Sequence, residues 1–374
     1  MSIMICGDTL PTEINMREFE SGAVDKIITP ELMMTLRKAD YRIANLEGCF
    51  VDGGKPISKT GPNLKASIQS FEGIKQLGFN LFGIANNHIM DYGTEGLTST
   101  IDLLNNSNIS WCGAGKTLDD AYNAHFVTIN NTKVGIIALA EREYTIATKS
   151  KPGAAPFDDL DSPDFVSYVK DKVDFLIVLY HGGKEYYRYP APYVQKRCRK
   201  IVEKGADIVI TQHSHCIGCY ETYMNGKIIY GQGNFLLSRG NDNEFRRTGL
   251  LLEVDIESHD IEFHVVVRND PGVRLANKQE YEEVMDGFTK RSDDLRIEGF
   301  IEQKYGEFAD NALFSYQTQS LGRVAAFMEK FKCLNKVPRL YDKDNMLVIL
   351  NTLRCEAHRD LYIQGLINKL SDEK

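Results

Sequence analysis

The sequence predicts an α/β protein whose sheets carry the core and whose last part is a helical extension. Three features support that class. Short β-branched runs alternate with helix-like segments from residue 3 to about 267, most runs give way to Gly, Asn, Asp or His, and the clearest helix-like segments stop at glycine. The strand candidates, in order, are residues 3–6, 41–44, 80–84, 133–139, 175–179 and 207–211. Between them, 67–77 ends at Gly78 and 193–204 ends at Gly205, each glycine suited to the left-handed cap of a helix. Residues 249–256 and 261–267 read as an antiparallel pair joined through Glu257-Ser258-His259-Asp260, expected to close the second sheet. After about Pro271 the β pattern fades, and 280–290, 321–331 and 345–370 read as helices. The expected division is therefore a domain over 1–270 and a helical extension over 271–374. Its linker would be 268–274, with Asn269, Pro271 and Gly272. Leu347, Leu350, Leu353, Leu361 and Leu366 give the extension apolar positions, suited to packing on the parent domain or to recruiting a partner or a second copy of the chain.

With 374 residues, 43% of them hydrophobic and 26% charged, the chain can bury a substantial core. A net charge of -8 argues against a nucleic-acid footprint spread over the surface, and Lys196, Arg197, Arg199 and Lys200 suit a solvated helix face. The start, Met1-Ser2-Ile3-Met4-Ile5-Cys6, has neither the charged n-region nor the apolar h-region of a signal peptide, so a cytoplasmic protein without membrane insertion is expected. Eight irregularly spaced cysteines then read as reduced thiols, with Cys216-Ile217-Gly218-Cys219 a lone C-x-x-C.

Chemistry gathers where apolar runs stop. Asp8 follows a strand and Gly7; it suits either a site carboxylate or a turn. Alternation directs Asn45 and Glu47 to one side. Asn86-Asn87-His88 offers an amide oxygen and an imidazole that can divide metal binding from proton handling, with Asp91 placed to orient His88; the alternative is a His that caps the helix near Gly93. His181-Gly182-Gly183 is another strand-to-loop junction, where a lone His can also be structural. Gln212-His213-Ser214-His215 carries the strongest signal, because H-x-H leaving a strand puts both rings on one side. Tyr230-Gly231-Gln232-Gly233-Asn234-Phe235 suits a loop lining the same pocket or a plain turn. Mixed nitrogen and oxygen donors admit divalent Mn, Fe or Zn.

In that order, Gly7-Asp8, Asn45-Leu46-Glu47-Gly48, Asn86-Asn87-His88 with Asp91-Tyr92-Gly93, His181-Gly182-Gly183, His213-Ser214-His215 and Gly231-Gln232-Gly233-Asn234-Phe235 resemble the CapA family of bacterial capsule and poly-gamma-glutamate biosynthesis proteins, related to calcineurin-like metallophosphoesterases. The resemblance implies a four-layer α/β/β/α sandwich with a two-metal site at the strand ends. It implies that Asp8 and His215 hold one metal, that Asn87, His181 and His213 hold the other, and that Glu47 bridges them. His88 would be the proton donor, assisted by Asp91. Leu10 stands where the wider phosphoesterases carry a histidine, and Glu47 where they carry a bridging Asp. The implied activity is metal-dependent hydrolysis of a small or polymeric substrate with anionic groups, alongside capsule-synthesis partners. The alternative is a non-catalytic accessory or binding protein in capsular polymer synthesis.

Overall fold

The computed structural model describes residues 1–238, 244–320 and 343–372. In chain order its elements begin with β1 (Ser2–Thr9), α1 (Met16–Glu20), α2 (Pro30–Lys38), β2 (Tyr41–Leu46), β3 (Cys49–Phe50), β4 (Lys65–Ala66), α3 (Phe71–Gln76), β5 (Leu81–Gly83) and α4 (Gly93–Asn106). Next come β6 (Ser110–Cys112), β7 (Ala114–Gly115), α5 (Leu118–Ala121), β8 (Ala124–Ile129), β9 (Thr132–Ala140), β10 (Gly153–Ala154), α6 (Asp161–Lys170), β11 (Phe175–His181) and α7 (Pro192–Glu203). The rest are β12 (Ile208–Gln212), β13 (Ile217–Tyr223), β14 (Gly226–Gln232), β15 (Asn234–Leu236), β16 (Thr248–Asp255), β17 (Ile261–Asn269), β18 (Gly272–Leu275), α8 (Lys278–Asp294), α9 (Phe300–Ser320), α10 (Lys343–Arg354) and α11 (Glu356–Asp372).

Two mixed sheets form the middle of the first unit. One runs β18-β17-β16-β1-β2-β5-β6, with β15 beside β1; the other runs β13-β14-β12-β11-β9-β8. Strands β1, β2, β5 and β6 are mutually parallel, as are β9, β11, β12 and β14. All seven residues of β11 and all five of β12 are buried, which is why they open on the continuous apolar runs 175–179 and 208–210 rather than on alternating ones. One apolar core joins both sheets, with Ile5, Ile43 and Phe82 from the first and Ile136, Ile177 and Ile210 from the second. Each such side chain contributes about 2 kcal/mol by leaving water. On the outer face of the second sheet lie α6 and α7; the latter buries the stripe Val194, Cys198, Ile201 and Val202 at helical spacing. Helices α2 and α4 pack on the first sheet, giving the α/β/β/α layering that the family resemblance implies.

The pair β16–β17 belongs to the first sheet, not the second, because β16 pairs antiparallel with β1 and sets Leu252 beside Ile5. Residues 268–274, expected as a linker, form the turn of the β17–β18 hairpin, in which Asn269 pairs with Gly272. A Cβ at Gly272 would come within 1.8 Å of the Ile27 carbonyl oxygen, so this turn needs glycine to seat on the chain beneath it.

Compact packing continues past residue 270: the first unit covers Met1–Glu302 and the second Gln303–Lys374. Helix α8 belongs to the first. Asn277 and Glu280 cap it reciprocally, Phe288 is buried with its ring 5.2 Å from that of Phe263, and Arg291 Nε donates to the Gly218 carbonyl at 2.7 Å. In the second unit, 345–370 divides into α10 and α11 on either side of Cys355. Leu347, Leu350, Leu353, Leu361 and Leu366 are all exposed there. The expected helix over 321–331 lies outside the described residues. Among the described residues no helix is long and apolar enough to cross a membrane.

Candidate metal centre

The site residues sit where strands of both sheets run out. Asp8 is near the end of β1, and Asn45 and Glu47 at the end of β2; register sets Asp8 beside both Asn45 and Asn234. From the second sheet, His181 ends β11 opposite Gln212, the last residue of β12. The loop after β5 supplies Asn86, Asn87 and His88. Close approach of the two chain segments at β1 depends on Gly7, where a Cβ would fall 2.0 Å from the Gly233 carbonyl oxygen.

Around Glu47, which is fully buried, three imidazoles converge. His215 Nε2, His88 Nε2 and His181 Nε2 lie 3.7, 3.8 and 4.0 Å from Glu47 Oε1. His213 Nδ1 is 3.2 Å from His181 Nε2, and Asn87 Oδ1 is 3.1 Å from that same nitrogen. Asp8 Oδ2 is 3.4 Å from His215 Nδ1, and Asp8 Oδ1 accepts from Asn45 Nδ2 at 2.7 Å. Ligand atoms of Glu47, His181 and His213 lie within 4.8 Å of one another, as do those of Asp8, Glu47 and His215. The two groups share Glu47. All six residues expected as ligands are thus brought together, with Asn87 on the His181 and His213 side.

The His-x-His rings do not converge by strand alternation. His213 (φ 83°) and His215 (φ 55°) both hold the left-handed conformation just beyond β12. Such a backbone costs on the order of 1–3 kcal/mol per non-glycine residue and persists where the surroundings enforce it, commonly at functional sites. Asn234 Oδ1, 2.9 Å from His215 Nδ1, helps to hold that ring.

His88 stands apart from the ligand groups in its contacts. Its Nδ1 is 2.6 Å from Asp91 Oδ2, so the short contact assigns the Nδ1 proton to the Asp91 side and leaves Nε2 facing Glu47. Lys59, in the stretch between β3 and β4, is buried against this pair. It forms an ion pair with Asp91, donates to the Asn87 carbonyl at 3.2 Å, and sits 3.1 Å from His88 Nδ1. Asp91 also anchors the loop that brings Lys59 in, accepting the Leu64 N–H at 2.6 Å on its side chain and the Ile57 N–H at 2.9 Å on its carbonyl. No local pattern marks Lys59, because its role exists only once 51–64 folds back on Asp91. Asn45 was legible only as a neighbour of Glu47; its Nδ2 links Asp8 to His181 Nδ1, 3.2 Å away.

The donors suit a divalent cation: imidazole nitrogens with carboxylate and amide oxygens, buried, from both sheets. The buried carboxylates of Glu47 and Asp8 meet beside His215 with their ligand atoms within 4.8 Å of one another, an arrangement that a cation would complete. Leu10 is buried in the core against Gly48 and offers no donor. Cys216 and Cys219 are buried outside both ligand groups.

Burial, then the neighbouring His213, pushes His181 well below the usual imidazole range; burial and His215 lower His213. Burial alone would raise Asp8, but the hydrogen bond from His215 and the charges of His181 and His215 hold it below the usual carboxylate range. In metal-free protein the two histidines therefore stay neutral as pH falls through about 6.5, while those of the unfolded chain take up protons. The unfolded state binds more protons, so stability falls below about pH 6.5, by up to about 1.4 kcal/mol per pH unit for each imidazole. Asp8 acts lower, its contribution present above about pH 3.9 and lost beneath it. Denaturant melts between pH 7.5 and 5.5 check this, and His181→Gln is expected to flatten the slope by about one proton; an unchanged slope would contradict it.

Among known proteins, the chain is 29% identical over 214 residues to the capsule biosynthesis protein CapA of Bacillus anthracis, covering 55% of this chain and 52% of that protein. It is 30% identical over 213 residues to the PGA biosynthesis protein CapA of Bacillus subtilis (strain 168), covering 54% and 55%. The chain thus matches about half the length of these relatives. Of solved structures, a 5'-nucleotidase precursor from Thermus thermophilus is similar at a TM-score of 0.41 and 12% identity, covering 85% of this chain and 60% of that one. A hypothetical protein from the same organism scores 0.43 at 14% identity, covering 72% and 100%. The profile described as bacterial capsule synthesis protein PGA_cap matches residues 2–239, a stretch that contains every ligand candidate above, and the chain belongs to that family.

Proposed function

We propose that this protein is a metal-dependent hydrolase of phosphoester type serving capsule or poly-gamma-glutamate biosynthesis. The observation that carries the reading is the pair of buried ligand groups sharing Glu47, with the His88–Asp91 pair facing the shared carboxylate. Asp8, Glu47 and His215 would hold one divalent ion, and Glu47, Asn87, His181 and His213 a second. Such ions supply Lewis-acid charge to a phosphoryl oxygen and acidify water when bound. The chain's own residues do the remainder. Asp91 accepts the hydrogen bond from Nδ1–H and so orients the ring, and His88 in its doubly protonated form delivers the Nε2 proton to the departing oxygen, ending as neutral imidazole. Lys59 offsets the Asp91 charge where both side chains are buried. The names of the Bacillus relatives support a place in capsule polymer synthesis.

The test is metal analysis of the purified chain for Mn, Fe and Zn, followed by assays on phosphate mono- and diesters. Bound metal and a turnover abolished by His213→Ala are expected. Absence of both bound metal and activity sensitive to that substitution would overturn the reading. A second reading, a binding or accessory protein that holds metal without turnover, draws on Leu10, which leaves the Asp8 and His215 position with fewer donors. Bound metal without hydrolysis would select it.

A further inference from the structure

Beside the ligand groups, Tyr186 combines three features that packing does not explain. Its backbone is left-handed (φ 60°), a region that bulky side chains rarely occupy. Its N–H donates at 2.9 Å to the carbonyl of Ser214, between His213 and His215, so the loop that aims two candidate ligands also holds Tyr186 in this conformation. Its ring lies 6.0 Å from that of His215.

The third feature is its hydroxyl. Arg246 donates to the phenol oxygen twice, from Nε at 3.0 Å and Nη2 at 2.6 Å. A phenol oxygen has two lone pairs, and both are then engaged by a guanidinium that is always charged. What remains is the O–H proton, polarised by the cation behind it, and among the described residues no acceptor takes it. Arg246 is itself buried (4% exposed), has no carboxylate in ion-pair range among the described residues, and keeps Nη1 without a hydrogen-bond partner. Burying a guanidinium in this way is unfavourable unless an anion completes it. The residue before Tyr186 is the acidic Glu185. Burial raises its carboxyl, yet His213, His215, Arg246 and Lys184 together bring it net below the usual range.

We propose that Tyr186, backed by Arg246, is the hydrogen-bond donor of an oxyanion subsite beside His215, taking an anionic oxygen of the substrate. Tyr186 touches the ligand and Arg246 is the positioning residue behind it. The inference rests on the hydrolase reading only for which anion is bound, phosphoryl or carboxylate.

Calorimetric titration of the manganese-loaded full chain with inorganic phosphate and, separately, with glutarate tests it. Tyr186→Phe is expected to weaken at least one of the two by about tenfold or more, with manganese content unchanged. Whichever probe is weakened identifies the anion class. Arg246→Gln is expected to cause the same loss, and the double variant no further loss, because the two side chains act as one donor. The proposal is overturned if the wild-type chain binds neither probe, if Tyr186→Phe binds both as the wild type does, or if Arg246→Gln leaves affinity intact. Phosphate binding sensitive to Tyr186→Phe in a chain that hydrolyses no phosphoester would overturn the hydrolase reading and leave the subsite standing.

Discussion

Glu47→Gln is expected to empty both metal positions at once, whereas Asp8→Asn or His213→Gln each empties one. Glu47 is the residue common to the two ligand groups; Asp8 and His215 belong to one and His181 and His213 to the other. An amide keeps the shape of the side chain but removes the charge that offsets a shared cation pair. Groups that only orient ligands are worth 10–100-fold in metal affinity, so losing the shared carboxylate should cost about a hundredfold or more. The loss is also readable as stability. Metal at about a thousand times its Kd adds about 4.1 kcal/mol, and at about ten times only about 1.4 kcal/mol, so a hundredfold weaker site loses roughly 2.7 kcal/mol at fixed metal. Metal per chain after dialysis, with melts in the presence and absence of manganese, measures both. A Glu47→Gln chain that retains full metal would rule out the shared-ligand arrangement.

The second large effect belongs to His88. His88→Ala should lower phosphodiester turnover by about 10²–10⁴-fold while leaving metal content unchanged, because His88 belongs to neither ligand group and its contacts run to Asp91 and Lys59. The size of the loss should depend on the leaving group. An alkoxide needs its proton in the transition state, whereas a nitrophenolate departs with little help, so the variant's defect should shrink sharply on nitrophenyl esters. Asp91→Asn should fall between wild type and His88→Ala on alkyl esters, since His88 then loses its Nδ1 partner but keeps its ring. It should also loosen 51–64, which the Asp91 side chain anchors through Leu64 and Lys59. Equal defects on alkyl and nitrophenyl substrates would remove His88 from the role of proton donor.

Much of this centre was legible because its residues lie at ends of apolar runs, and a strand in a parallel sheet announces itself by unbroken Val, Ile and Leu. Asp8, Glu47, His181 and the Asn87-His88 pair could be found that way. The H-x-H run was found for an incomplete reason: alternation suggested that His213 and His215 share a side, while two left-handed residues beyond β12 are what turn the rings inward. Lys59 and Arg246 carried no signal. Each is an ordinary basic residue in a loop, and each acquires its partner across a long stretch of chain, Asp91 for the first and Tyr186 for the second. The β16–β17 pair was visible as a hairpin, but its sheet depended on β16 pairing with β1, about 250 residues away.

By itself the sequence determined the layered α/β class, the junctions at which functional groups collect, and the chemical kind of ligand, because hydrophobic periodicity and side-chain donor type are local properties. Tertiary structure alone decided that Glu47 is shared by two groups, that Lys59 closes on Asp91, and that Arg246 stands behind Tyr186. Those relations are distances between residues far apart in the chain, set by how two sheets pack and where their loops meet, and no local pattern encodes them.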